Sequence, residues 1–88
     1  MLLKRKVKIT NVNGLHARPA TRFVEIANKF GSEIKVSAKG KEVDGKSVID
    51  LLTLGAEKGI ELVITANGDD APEVLEALRG LISDKFEE

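Results

Sequence analysis

The chain is expected to fold as an α+β two-layer open-faced sandwich, a four-stranded antiparallel sheet with three helices on one face, in the order β-α-β-β-α-β-α. Three observations predict this. Several short stretches alternate apolar with polar residues, so each strand has one buried face. Between them lie segments whose apolar residues recur at helical spacing. Strands that are apolar on one face need helices on that face alone, as antiparallel sheets allow. The 88 residues can bury one core and no more, so residues 1–88 are read as a single domain.

In order along the chain, Lys6-Val7-Lys8-Ile9-Thr10 places Val7 and Ile9 on the buried face of the first strand. Asn11 to Gly14 breaks that alternation. From Ala17 the period becomes helical, with Ala20, Phe23, Val24, Ala27 and Phe30 as the apolar stripe and Gly31 as the stop. Glu33 to Ala38 alternates again, and Lys39-Gly40-Lys41 turns the chain into a short strand around Val43, forming a hairpin. Ser47, followed three residues later by Asp50, reads as a capping box for a short helix closed by Gly55. Ile60, Leu62, Ile64 and Ala66 then share one strand face. Asp70 is expected to cap the last helix, with Pro72 in its first turn and Glu73 at the capping-box position. Val74, Leu75, Leu78, Leu81, Ile82 and Phe86 supply its buried stripe, and Ser83 to Glu88 reads as a short, frayed polar tail.

Composition excludes several functions. Hydrophobic residues make up 42% of the chain but aromatic ones only 3%, so aliphatic packing must build the core. Cys is absent and there is one His, which excludes a disulfide framework and a thiolate nucleophile and argues against a multi-imidazole metal site; neither metal nor cofactor is expected. No apolar run approaches the roughly 18 residues of a membrane span, and the N-terminal segment alternates charges with aliphatics, so a cytoplasmic protein without membrane insertion is expected. Fourteen basic residues balance fourteen acidic ones, which gives no general pull towards nucleic acid or anionic lipid. Lys4, Arg5, Lys6 and Lys8 nevertheless load the first strand, while Glu57, Glu61, Asp69, Asp70, Glu73 and Glu76 weight the second half; the plain reading of both groups is solvated surface.

Gly14-Leu15-His16-Ala17-Arg18-Pro19-Ala20 joins the first strand to the first helix and puts His16 at or beside the helix N-cap. A helix N-terminus offers unpaired N–H groups and a partial positive charge, which suit a bound or covalent phosphate. Ala17 and Arg18 keep their N–H groups, while Pro19 lacks one where it would have no intrahelical partner. Histidine can carry a phosphoryl group covalently, and the Arg18 guanidinium can hold and neutralise its oxygens. Each residue alone has an ordinary reading: His16 as a surface or capping residue, Arg18 as a solvated charge, Pro19 as a helix start and Gly14 as a turn. Together they form a better anion site than any one of them.

That heptapeptide resembles the active-site signature of the HPr family, the histidine-containing phosphocarriers of the bacterial phosphoenolpyruvate-dependent sugar phosphotransferase system. Chain length, element order, Gly45-Lys46-Ser47, Leu54-Gly55 and Lys58-Gly59 extend the resemblance along the whole chain. It implies a phosphocarrier, not an enzyme: His16 is phosphorylated on Nδ1 by enzyme I and then phosphorylates sugar-specific IIA components, with Arg18 in the motif arginine's role. Ser47, which physics explains fully as an N-cap, matches the family's regulatory serine, phosphorylated in many Gram-positive members by a dedicated kinase to bind a catabolite-control regulator. The implied docking patch is Val48, Ile49 and Leu52; a short helix can bury only one side, so Ile49 and Leu52 are expected exposed. Asp50 stands where many Gram-positive members carry Gly, and Leu where they carry Met, which favours docking of enzyme I over recognition by kinase and regulator.

Two other classes compete. A general-base enzyme built on His16 lacks an evident titratable partner and the material for a deep pocket. A phosphate- or peptide-binding module needs Arg18 but not His16. Within the family, a regulatory nitrogen-branch carrier shares the same chemistry. A monomer is expected, because a carrier must present one face to successive partners.

Overall fold

The computed structural model describes residues 1–87 and has the expected element order: β1 (Leu2–Lys8), α1 (Ala17–Ala27), β2 (Glu33–Ala38), β3 (Lys41–Asp44), α2 (Val48–Thr53), β4 (Glu61–Asn67), α3 (Ala71–Ser83) and a final 3-10 turn, Lys85–Glu87. The strands form one antiparallel sheet in the order β1-β4-β2-β3. Register follows the alternation: Val7 lies opposite Leu62, Val36 opposite both Ile64 and Val43, and Ile34 opposite Ala66. These residues are buried on one side of the sheet, under Ala20, Phe23 and Ala27 of α1, Leu51 of α2 and Val74, Leu75, Leu78 and Ile82 of α3. A one-residue slip would turn every one of these strand side chains to water, so the pattern sets the register strongly.

The β2–β3 hairpin turns on Lys39 and Gly40, both with positive φ (55° and 78°), as a two-residue turn matching strand twist requires. Its lysines then reach sideways. Lys39 Nζ donates to the Gly55 carbonyl at 3.2 Å and Lys41 Nζ to the Thr53 carbonyl at 3.3 Å, placing two cations on the orphan carbonyls at the C-terminal end of α2.

Several elements depart from the sequence expectation. β1 begins at Leu2 and ends at Lys8; Ile9, fully buried as expected, continues the line of contact by donating its N–H to Ile60 at 2.9 Å. α1 ends at Ala27 with Asn28 as its cap, short of Gly31, because Lys29 and Phe30 donate to Ile26 and Ala27 three residues back and so tighten the chain out of the α form. Phe30, beyond the helix end, is only half-buried, and so is Val24 at the edge of the stripe within the helix. Asp70 occupies the N-cap position of α3 but does not cap it. Its carboxylate instead accepts from Gly31 N–H at 2.8 Å, from Ser32 N–H at 3.0 Å and from the Ser32 hydroxyl. Three donors from the α1–β2 loop outweigh the single amide that self-capping would satisfy.

The tail is not frayed over its described part. Ser83 still belongs to α3, and the chain then turns sharply through Lys85, Phe86 and Glu87, all with positive φ, which drives Phe86 into the core at 2% exposure. Arg22 of α1 pairs with Glu87 at 3.0 Å across the surface. Aromatic burial overrides the polar look of this segment; Glu88 lies outside the described residues.

Candidate functional site

The loop between β1 and α1 is held from below. Gly14 has a φ of +68°, and a Cβ there would come within 2.5 Å of the Ala56 carbonyl oxygen, so both backbone conformation and space require glycine. That same carbonyl accepts the Leu15 N–H at 2.9 Å. Asn11, itself buried, closes the loop: its backbone carbonyl accepts Gly14 N–H at 3.2 Å and its side-chain amide donates to the Gly14 carbonyl at 2.7 Å. Leu15 is buried at 5% exposure, which anchors the residue immediately before His16.

His16 is the N-cap of α1, with extended backbone (φ −90°, ψ −171°), and its carbonyl accepts the Ala20 N–H at 3.0 Å as the first bond of the helix. Its imidazole makes no capping bond to the helix amides and is half-buried. The cap position leaves the N–H groups of Ala17 and Arg18 without intrahelical acceptors. The first turn of α1 carries no acidic side chain, so nothing within the turn itself offsets the partial positive charge of the helix end. Pro19 and Ala20 are buried and pin this turn to the core, while Ala17 and Arg18 are exposed. His16 and Arg18 thus flank the first amides of α1, and a helix N-terminus of this kind suits a tetrahedral oxyanion.

Ser47 is the N-cap of α2; its hydroxyl accepts the Asp50 N–H at 3.2 Å. The expected capping box closes on one side only, because the Asp50 carboxylate accepts from Asp44 N–H at 3.4 Å instead of returning to Ser47. Along α2, Leu51 is fully buried and Val48 half-buried against the core, whereas Ile49 is 74% and Leu52 40% exposed. α2 packs against α1, so this apolar pair shares the helical layer with the His16 corner. Of the residues read from sequence as the patch, Val48 is the one drawn partly into the core.

Sequence reasoning did not single out Ala56, whose carbonyl shapes the His16 loop, or Val12, which is 80% exposed two residues before Gly14. Ala56 carries no chemical signal of its own, because its part is played by backbone brought alongside by folding. A cleft of about 350 Å³ lined by Asn11, Val12, Asn13 and Lys85 flanks the loop, and a groove of about 620 Å³ lies along Arg22, Ile26, Lys29 and Leu81; neither includes His16 or Arg18 in its lining.

Residues 3–84 match the protein-family model described as the PTS HPr component phosphorylation site. The phosphocarrier protein HPr of Vibrio cholerae is 42% identical over 81 residues, covering 92% of this chain and 95% of that protein. Among solved structures, HPr from Thermoanaerobacter tengcongensis superposes with a TM-score of 0.93 at 42% identity, covering 98% of this chain and 97% of the other. An HPr dimer from the same organism gives 0.79 at 44% identity, with coverages of 93% and 94%. The four-stranded antiparallel sheet and the three helices agree with these matches, and the chain belongs to the HPr family of phosphocarriers of the phosphotransferase system.

Proposed function

We propose that this chain acts as a single-domain, monomeric, cytoplasmic carrier in which His16 accepts a phosphoryl group on Nδ1 from phosphorylated enzyme I and hands it to IIA components for sugar uptake. The observation that carries this is the placement of His16 at the N-cap of α1, ahead of two open amides and with no acid in the first turn. In the accepting step the Nδ1 lone pair attacks phosphorus in line while the donor's bond to phosphorus breaks, and Nε2 keeps its hydrogen. In the second step the new P–N bond breaks as the acceptor's nucleophile attacks from the opposite side. The phosphorylated chain is thus the product of the first transfer and the substrate of the second, which is the part of a carrier. Ala17 N–H, Arg18 N–H and the Arg18 guanidinium bind the phosphoryl oxygens and offset their charge in both steps.

Ile49 and Leu52 supply the apolar docking patch for enzyme I and IIA components, with Val48 contributing its exposed edge. Phosphorylation of Ser47 would place a dianion at the N-terminus of α2, where the dipole favours it. The Asp50 carboxylate in the same turn opposes it. Control through a serine kinase and phosphorylase and a catabolite-control regulator is accordingly the weaker use of this helix. No described helix is long and apolar enough to cross a membrane, in keeping with a cytoplasmic site of action.

The test is intact-protein mass after incubation with phosphoenolpyruvate and enzyme I. A single acid-labile phosphoryl adduct in the wild type, absent from His16→Ala, is the expected result. No adduct while enzyme I phosphorylates another acceptor would reduce the site to a phosphate-binding helix start.

A further inference from the structure

The helices cover one side of the sheet only, and the other side is strongly polarised in charge. Along β1, Leu3 packs against the core and Val7 is buried, so Leu2, Lys4, Lys6 and Lys8 point to the uncovered face. Their neighbours across β4 are Asn67, Thr65, Val63 and Glu61, and the next strand, β2, adds the half-buried Lys35 between Thr65 and Asp44, which leaves the β1 lysines as the cationic row. The acidic members of this face are Glu61 opposite Lys8, Glu33 beside Asn67, and Glu42 and Asp44 on β3 at the far edge. Lys4, Lys6 and Lys8 are all exposed, and among the described residues no carboxylate pairs with them. Three cations thus stand in line about 7 Å apart along an edge strand. At the end of that line, Met1 and Leu2 are 65% and 63% exposed, and the Met1 carbonyl is held in place by Gly68 N–H at 2.8 Å.

We propose that the β1 half of the open sheet face is a docking surface for an anionic lipid bilayer, with Lys4, Lys6 and Lys8 over the headgroups and Leu2 and Met1 at their apolar boundary. A row of evenly spaced lysines ending in exposed aliphatics fits a plane of negative charge above hydrocarbon. The face has no aromatic side chain on which nucleic-acid bases could stack. A second copy could oppose the acidic β3 edge to this one, but that contact joins unlike edges, leaves Leu2 and Met1 without an apolar counterpart, and does not close. β1 runs from Leu2 at the apolar end to Lys8 at the end that leads into the His16 loop, a span of about 20 Å, so a bilayer held at the face leaves the His16 corner open. The zero net charge of the chain does not oppose this, because at physiological ionic strength the field of the local lysines acts over about 8 Å.

The experiment is cosedimentation of the full chain with sucrose-loaded vesicles at low ionic strength, comparing phosphatidylglycerol-rich vesicles with pure phosphatidylcholine. Binding to the first only, weakened by salt, is expected. The triple variant Lys4→Gln, Lys6→Gln, Lys8→Gln should bind roughly a hundredfold more weakly, each lysine near an anionic surface contributing about fivefold. A variant carrying Lys29→Gln, Lys58→Gln and Lys85→Gln has the same net charge and should bind like the wild type. Leu2→Ser should weaken binding while leaving its salt dependence unchanged. Equal sedimentation with both vesicle types, or equal loss in the two triple variants, overturns the proposal. Self-association without vesicles that the β1 variant abolishes would assign the face to a second copy and also overturn it.

Discussion

Arg18 stands exposed in the first turn of α1, so it contributes little to the core and its substitution should separate chemistry from stability. Hydrogen bonds to a charged group are worth about 1.5–3 kcal/mol, so Arg18→Ala should lower kcat/KM for phosphoryl transfer from enzyme I by roughly 10- to 100-fold. The urea midpoint should stay at the wild-type value; a fall in both would mean that the guanidinium holds the fold and not the phosphoryl group. His16 and Arg18 were legible in the sequence because reactive side chains at a strand–helix junction carry a chemical signal. Ala56 was not, because its contribution is a carbonyl oxygen positioned by the rest of the chain.

At the scale of elements, Asp70 links α3 to the α1–β2 loop through Gly31 and Ser32. The Ser32 hydroxyl, followed by the Gly31 amide, holds its carboxyl below the usual carboxylate range. A depressed folded-state value means that this stabilisation is fully present above the unfolded value near pH ~4 and is lost as pH falls through the lower folded value. The urea midpoint of the wild type should therefore drop on acidification below that pH by more than that of Asp70→Asn, measured from pH 7 down to pH 3; parallel curves would show that the contact contributes nothing through its charge. Sequence placed Asp70 at the start of α3 correctly but assigned its side chain to its own helix, because the competing donors lie about forty residues earlier in the chain. The C-terminal turn repeats the lesson. Phe86→Ala should cost about 3 kcal/mol in denaturant unfolding, at the low end for a buried aromatic, since the positive-φ backbone of Lys85 to Glu87 relaxes once its anchor is gone. An unchanged midpoint would mean that the tail adds no stability.

For the whole molecule, the two sheet edges decide how it meets other copies of itself. β1 and β3 are both unpaired on their outer sides, and β1 carries Lys4, Arg5, Lys6 and Lys8, the charged dressing that discourages strand-to-strand association. Size-exclusion chromatography with light scattering should give the mass of one 9.5 kDa chain at micromolar concentration. A stable dimer, the form solved for one 44% identical relative, would overturn the monomeric reading and place an interface on the sheet edge or the helical layer.

The sequence by itself determined the order of strands and helices, most of the strand and helix residues that face the core, and the placement of His16-Ala17-Arg18-Pro19 at the head of the first helix, because periodicity and local chemistry act over a few residues. Only the tertiary structure decided that β4 lies between β1 and β2, that Ala56 shapes the loop beneath His16, that Asp70 reaches back to Ser32, and that Phe86 reaches the core through a sharp turn after α3 and not on the helix itself. Each of those depends on groups distant in the chain competing for the same buried space or the same donor. Such competition is settled by the packing of all the elements together, and no local pattern records it.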